Sequence, residues 1–190
     1  MKSGFEIVRE TVDSAGRTDE RREPVTLPLE DDLPRMGLSV PYVLSREAAI
    51  AVNTALAVDQ PLLVTGEPGC GKTSLAFAVA RQLGAEVEEH HVKSTSLARD
   101  LLYAFDSVRR FHDASIGAEE ARDPRRYVTL TALGRALASS STRVVLIDEI
   151  DKAHRDFPND LLHELDRKFF TVQETGERYA QRCRHFVLVT

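Results

Sequence analysis

Long apolar runs are missing from this chain of 190 residues, and nothing approaches the ~18 residues that a membrane-crossing helix needs. Its opening residues, MKSGFEIVRE, also lack the apolar stretch of a signal peptide. A cytoplasmic protein is the expectation. Cysteine is scarce: Cys70 and Cys183 are too few for a disulfide framework and lack the paired spacing of a zinc site, which fits a reducing compartment. The histidines offer no ligand set either. His90 and His91 are adjacent, so on a strand they point to opposite faces, and His154 and His163 have no partner at ligand spacing. A net charge of -5 excludes broad attraction to nucleic acid or acidic lipid, and no basic patch or nucleic-acid module is visible. Internal repeats and low-complexity tracts are also absent.

What is present is the balance of a globular domain, with 42% hydrophobic and 29% charged residues. The length suits one domain of ~100–200 residues plus a tail. Residues 1–37 mix acids with Arg17, Arg21, Arg22, Pro24, Pro28 and Pro34 and hold no sustained period. They read as a mostly flexible arm, with a short strand near residues 5–8 as one option. The folded core is expected over residues 38–190.

Within it, Ser45 followed by REAAIAVNTALAV predicts a capped helix. The run PLLVTG predicts a short strand buried on both faces. The next helix runs from Lys72 to Leu83 and ends at Gly84, which can take the left-handed C-cap conformation. Residues 86–92 are a second strand. Residues 96–105 and 129–138 read as helices separated by the charged stretch 109–126, and RVVLI at residues 143–147 is the clearest strand. Residues 156–168 are helical in pattern, with Leu161, Leu162 and Leu165 on one apolar face. The segment FFTVQETGERYAQR reads as two short extended pieces around Gly176, and HFVLVT as a last buried strand. Strands alternating with helices predict a largely parallel α/β sheet covered on both faces.

The chemistry begins at residues 66–73. They read GEPGCGKT, a glycine, four residues, then Gly-Lys-Thr, between the strand PLLVT and the helix SLAFAVARQL. That is the Walker A pattern of a phosphate-binding loop in its strand–loop–helix context. Gly66, Glu67, Pro68, Gly69, Cys70, Gly71, Lys72, Thr73 and Ser74 are the expected nucleotide-binding residues. Gly69 and Gly71 permit close approach of the backbone, whose N–H groups point at the anion together with the helix N-terminus. Lys72 is expected to reach the β- and γ-phosphates, and Thr73 to place its hydroxyl on Mg²⁺. Cys70 occupies a variable position where the backbone, rather than the thiol, is needed.

Residues 144–149 read VVLIDE, a buried strand ending in two acids. Asp148 then lies at the carboxyl edge of the sheet, where α/β folds bind ligands, and can hold Mg²⁺ through water opposite Thr73, as a Walker B aspartate does. Glu149 and Lys72 are the candidate catalytic groups, with Glu149 polarising the attacking water. Asp151 and Lys152 read as a capped helix start, or as residues that orient the site or a neighbouring subunit.

The stretches LLVTGEPGCGKTSLAFAVARQLG, KSTSLARDLLYAF and LIDEIDKAHRDFPNDLLHELDRKFF resemble AAA+ ATPases of the MoxR-like and dynein-related branch, over residues 42–190. The resemblance implies a P-loop three-layer α/β sandwich with strand order 5-1-4-3-2, an adenine pocket at Tyr42 and Val43, ATP and Mg²⁺ as cofactors, and chaperone-like ring assemblies, homo-oligomeric or with complementary subunits, that remodel other proteins. It also implies partner-facing loops within residues 93–106 and a hairpin at residues 170–182. In the resembling family a polar sensor, an arginine finger, a fifth core strand and a helical lid follow the strand matching FVLVT, so a chain ending at Thr190 is expected to be an incomplete ATPase. Arg182 and Arg184 precede that strand and are not assigned the finger role. PLLVT is then expected at a sheet edge, with poor turnover and self-association as consequences. ATP binding and hydrolysis is the first functional reading. The alternative is a truncated nucleotide-binding interaction module that turns over little or no ATP, and a DNA-directed ATPase would require the basic patch that is missing.

Overall fold

A computed structural model describes residues 44–190. The expected arm of residues 1–37 and the pair Tyr42 and Val43 lie outside the described residues. Ser45 caps helix α1 (Arg46–Val58), its hydroxyl oxygen accepting the Ala48 N–H at 3.2 Å. Strand β1 (Leu62–Leu63) leads through a glycine-rich loop into helix α2 (Lys72–Leu83), which stops at Gly84 with φ 61. Strand β2 (Glu86–His91), strand β3 (Tyr103–Phe105), helix α3 (Ser107–Ser115), strand β4 (Val128–Leu130) and helix α4 (Ala132–Ala138) follow. Strand β5 (Arg143–Asp148), helix α5 (Phe157–Arg167), strands β6 (Phe169–Thr171) and β7 (Arg178–Ala180), and strand β8 (Phe186–Val189) come last.

Four strands form one parallel sheet in the order β1-β8-β5-β2. Counted along the chain as core strands, this is the 1-4-3-2 portion of the expected arrangement. The sequence RVVLI explains the centre. Side chains alternate along a strand, and here both faces are apolar: Val144 and Leu146 join the α1 and α2 side with Phe186 and Leu188, whereas Val145 and Ile147 join the α4 and α5 side. These four of the six β5 side chains are fully buried. The architecture is the α/β three-layer sandwich of the P-loop nucleoside triphosphatases.

Several local expectations are corrected. Residues 96–105 are not a helix. Ala98, Leu101 and Leu102 are buried at helical spacing, but the backbone makes a single 3-10 turn at Ala98–Leu101 and then extends as β3, which pairs antiparallel with β4. The helix expected over residues 129–138 therefore starts only at Ala132, after that strand. The charged stretch 109–126 carries α3, a helix with no buried residue, on which Val108 and Phe111 are exposed. Strand β1 is at the edge of the four-stranded sheet, where PLLVT was expected, but it is not buried on both faces, since Leu63 is 61% exposed. Leu162 faces solvent at 51% exposure, while Leu161 and Leu165 pack inward. The hairpin around Gly176 is present as β6 and β7, with Gly176 at φ 71.

One glycine sets the approach of α4. A Cβ on Gly134 would lie 1.8 Å from the Leu102 carbonyl oxygen, a backbone atom that also accepts the Thr131 N–H at 3.0 Å. The helix cannot carry a methyl there without withdrawing from the turn that anchors β3. Gly134→Ala is expected to destabilise the fold by ~2 kcal/mol or more through overpacking, read as a lower urea midpoint at unchanged slope. An unchanged midpoint would mean that α4 shifts without cost.

Candidate functional site

Parallel strands with helical crossovers bring the ends of β1, β5 and β8 to one edge of the sheet, and the site is built there. Pairing with β8 extends past β1, since the Val64 N–H donates to the Val189 carbonyl at 2.8 Å. The chain then turns through residues 66–71. Gly69 and Gly71 have φ of 80 and 91, in the left-handed region that glycine enters without steric cost, and Gly71 is also the N-cap of α2. A Cβ on Gly66 would stand 3.0 Å from the Cys70 sulfur, so a side chain there would crowd the concavity of the loop. Glu67, Pro68, Gly69 and Cys70 are exposed, and Gly71, Lys72, Thr73 and Ser74 are half-buried.

Lys72 folds back over this loop. Its ammonium donates to the carbonyls of Gly66 at 2.9 Å and Glu67 at 3.0 Å, which holds the charge against the loop at a solvent-exposed position. Two carbonyl oxygens are the partners that an incoming phosphate would replace. Thr73, in the first turn of α2, donates its hydroxyl to the Asp148 Oδ2 at 3.1 Å. Asp148 is the last residue of β5, with its side chain 15% exposed. A hydroxyl and a carboxylate at this distance are hard oxygen donors of the kind that Mg²⁺ takes, so the residues fit a Mg²⁺-nucleotide.

Glu149 follows with φ 63 and ψ 44, a left-handed conformation that is uncommon for a residue with a Cβ and costs of order 1 kcal/mol or more. Its Oε1 lies 2.5 Å from the Lys152 ammonium, and hydrogen bonding to Glu149 raises the pKa of that lysine. Glu149 therefore follows the carboxyl end of β5 directly, but is engaged with a cation from its own turn.

Two further residues flank Asp148, and motif reading alone did not select them. His91, at the end of β2, is paired in register with Asp148, and its Nδ1 is 3.8 Å from Oδ2. Thr190, just beyond β8, donates its hydroxyl to the Asp148 Oδ1. The signal that finds them is topological. With β5 between β2 and β8, the residues ending those two strands must border the residue ending β5. Tyr42 and Val43 are not among the described residues, so they have no place in this geometry.

The strand order and the loop geometry define an AAA+ domain of the P-loop class. A family model described as the AAA domain, dynein-related subfamily, matches residues 61–189, from the start of β1 to the end of β8. The chain belongs to that family. Its domains bind ATP, and AAA ATPases commonly assemble into oligomers. One similar solved structure is that of a protein from Cytophaga hutchinsonii described as a "putative ATPase", with 17% identity and a TM-score of 0.48. The alignment covers 72% of this chain and 35% of that one. No curated protein matches the chain. Among the described residues, no helix is long and apolar enough to cross a membrane.

Proposed function

We propose that this chain binds ATP with Mg²⁺ at residues 66–73 and hydrolyses it, as the motor core of a MoxR-like AAA+ assembly that remodels or matures a protein partner in the cytoplasm. Residues 1–37 are read as an arm and residues 38–190 as the nucleotide-binding core of that assembly. One observation carries the reading: Lys72 is turned over a glycine-rich loop while Thr73 and Asp148, from distant parts of the chain, meet at hydrogen-bond distance.

In this reading the loop N–H groups and the positive end of α2 bind the phosphates, and Lys72 exchanges its two carbonyl partners for β- and γ-phosphate oxygens. Thr73 and Asp148 would hold the metal, and Mg²⁺ bound there would supply positive charge against the phosphate oxygens. Glu149 orients the attacking water and takes its proton, for which its carboxylate must leave Lys152.

Binding without turnover is the second reading, favoured by the Glu149 to Lys152 ion pair, which occupies the carboxylate that hydrolysis needs. Calorimetric titration with ATP and Mg²⁺, followed by phosphate release on the same sample, tests both. The first reading expects saturable binding with release. Binding with no release at saturating ATP supports the second, and absence of binding removes both.

A further inference from the structure

We propose that Thr190 is a positioning residue for the two acids of the site: its hydroxyl fixes the metal-holding carboxylate of Asp148 and at the same time holds the turn that presents Glu149. The inference rests on the reading that Asp148 and Thr73 hold Mg²⁺.

Asp148 has two carboxylate oxygens, and each accepts from a threonine. Oδ2 takes the Thr73 hydroxyl at 3.1 Å, and Oδ1 takes the Thr190 hydroxyl. A carboxylate held on both oxygens cannot rotate about its own Cβ–Cγ bond without breaking one contact. Thr73 is the partner whose hydroxyl would be drawn to a bound Mg²⁺. Thr190 has no such second task, so it keeps its hold on Oδ1 through the change and sets the plane in which Oδ2 is offered. A hydroxyl has one proton to give and two lone pairs to receive with. Thr190 uses both capacities, since Oγ1 also accepts the Glu149 N–H at 3.4 Å.

The backbone of Thr190 works on the same turn. Its N–H donates to the Ile147 carbonyl at 3.0 Å, and its carbonyl accepts the Ile150 N–H at 2.9 Å. One residue thus bonds immediately before and after the pair Asp148 and Glu149. That is where the chain leaves β5 and adopts φ 63 at a residue with a Cβ, a conformation that persists only when its surroundings hold it. The parallel register, with Ile147 opposite Val189, is what brings Thr190 alongside Asp148. Strand propensity alone would be served equally by valine, which has nearly the same shape and no hydroxyl. The hydroxyl is the feature that the two acids require.

The test uses the full chain with Thr190→Val and Thr190→Ser, and reads the ATP dissociation constant by calorimetry with EDTA and then with Mg²⁺. Both variants are expected to bind ATP without metal within about twofold of the parent. The affinity gained on adding Mg²⁺ is expected to fall about fivefold in Thr190→Val, the size of one lost hydrogen bond, and to return in Thr190→Ser. A full Mg²⁺ gain in Thr190→Val overturns the proposal. So does an equal loss of affinity with and without metal, which marks a merely structural role. Should Thr190→Val fail to melt cooperatively, Thr190→Ala carries the same comparison, because it lacks the hydroxyl and adds no bulk. A parent chain that binds ATP no better with Mg²⁺ contradicts the metal reading itself, before any variant is made.

Discussion

Lys72→Ala is expected to lower the affinity for Mg²⁺ and ATP roughly 100-fold. Lys72 supplies the side-chain cation of the loop, and its charge-assisted contacts to two phosphate oxygens are worth ~1.5–3 kcal/mol each before the loss of its present partners is counted. Those partners are the Gly66 and Glu67 carbonyls, both at a solvent-accessible position. They can hydrogen-bond to water once the ammonium is gone. The fold should therefore survive, with a melting midpoint within a few degrees of the parent. Calorimetric titration of parent and variant decides the matter. Equal affinity in the two would mean that residues 66–73 are a turn before a helix and not the phosphate site.

Glu149→Gln is expected to cut phosphate release by ~10²–10⁴ while ATP affinity stays within about threefold. Glutamine keeps the shape of the side chain and can adopt the same backbone turn, but it cannot take a proton from water. The variant also loses the ion pair with Lys152, whose partners are 44% and 54% exposed, so its stability should change by no more than ~1 kcal/mol. Release as fast as the parent's at saturating ATP would remove Glu149 from the chemistry and leave Asp148 alone at the carboxyl edge.

The site motifs were legible because each is local. GEPGCGKT needs only its neighbours to bend around an anion, and VVLIDE announces a buried strand and the acids at its end within six letters. Strands β5 and β8 were legible for the same reason, since a segment buried on two faces is apolar. Pairing between distant segments was not. Ala98, Leu101 and Leu102 are spaced like the buried face of a helix, and nothing nearby shows that Tyr103 will pair with Leu130 instead. The antiparallel ladder won over local periodicity. Leu63 illustrates the opposite limit, because apolar letters suit a covered face and an open one alike until the element packed on that face is assigned. Thr190 and the grip of Lys152 on Glu149 belong to a third kind. They depend on where a carboxylate points after the strand ends, which no sequence pattern encodes.

The central claim is that the loop of residues 66–73 is where this chain holds the phosphates of ATP. Backbone amide spectra of the isotope-labelled chain, recorded as Mg²⁺ and a non-hydrolysable ATP analogue are added, test it most directly. The account predicts saturable shifts that are largest at residues 69–74, with smaller ones at Asp148 and Thr190, and the same shifts in Lys72→Ala only at roughly 100-fold higher ligand concentration. Saturable shifts centred elsewhere in the fold, with residues 69–74 unmoved, would contradict it.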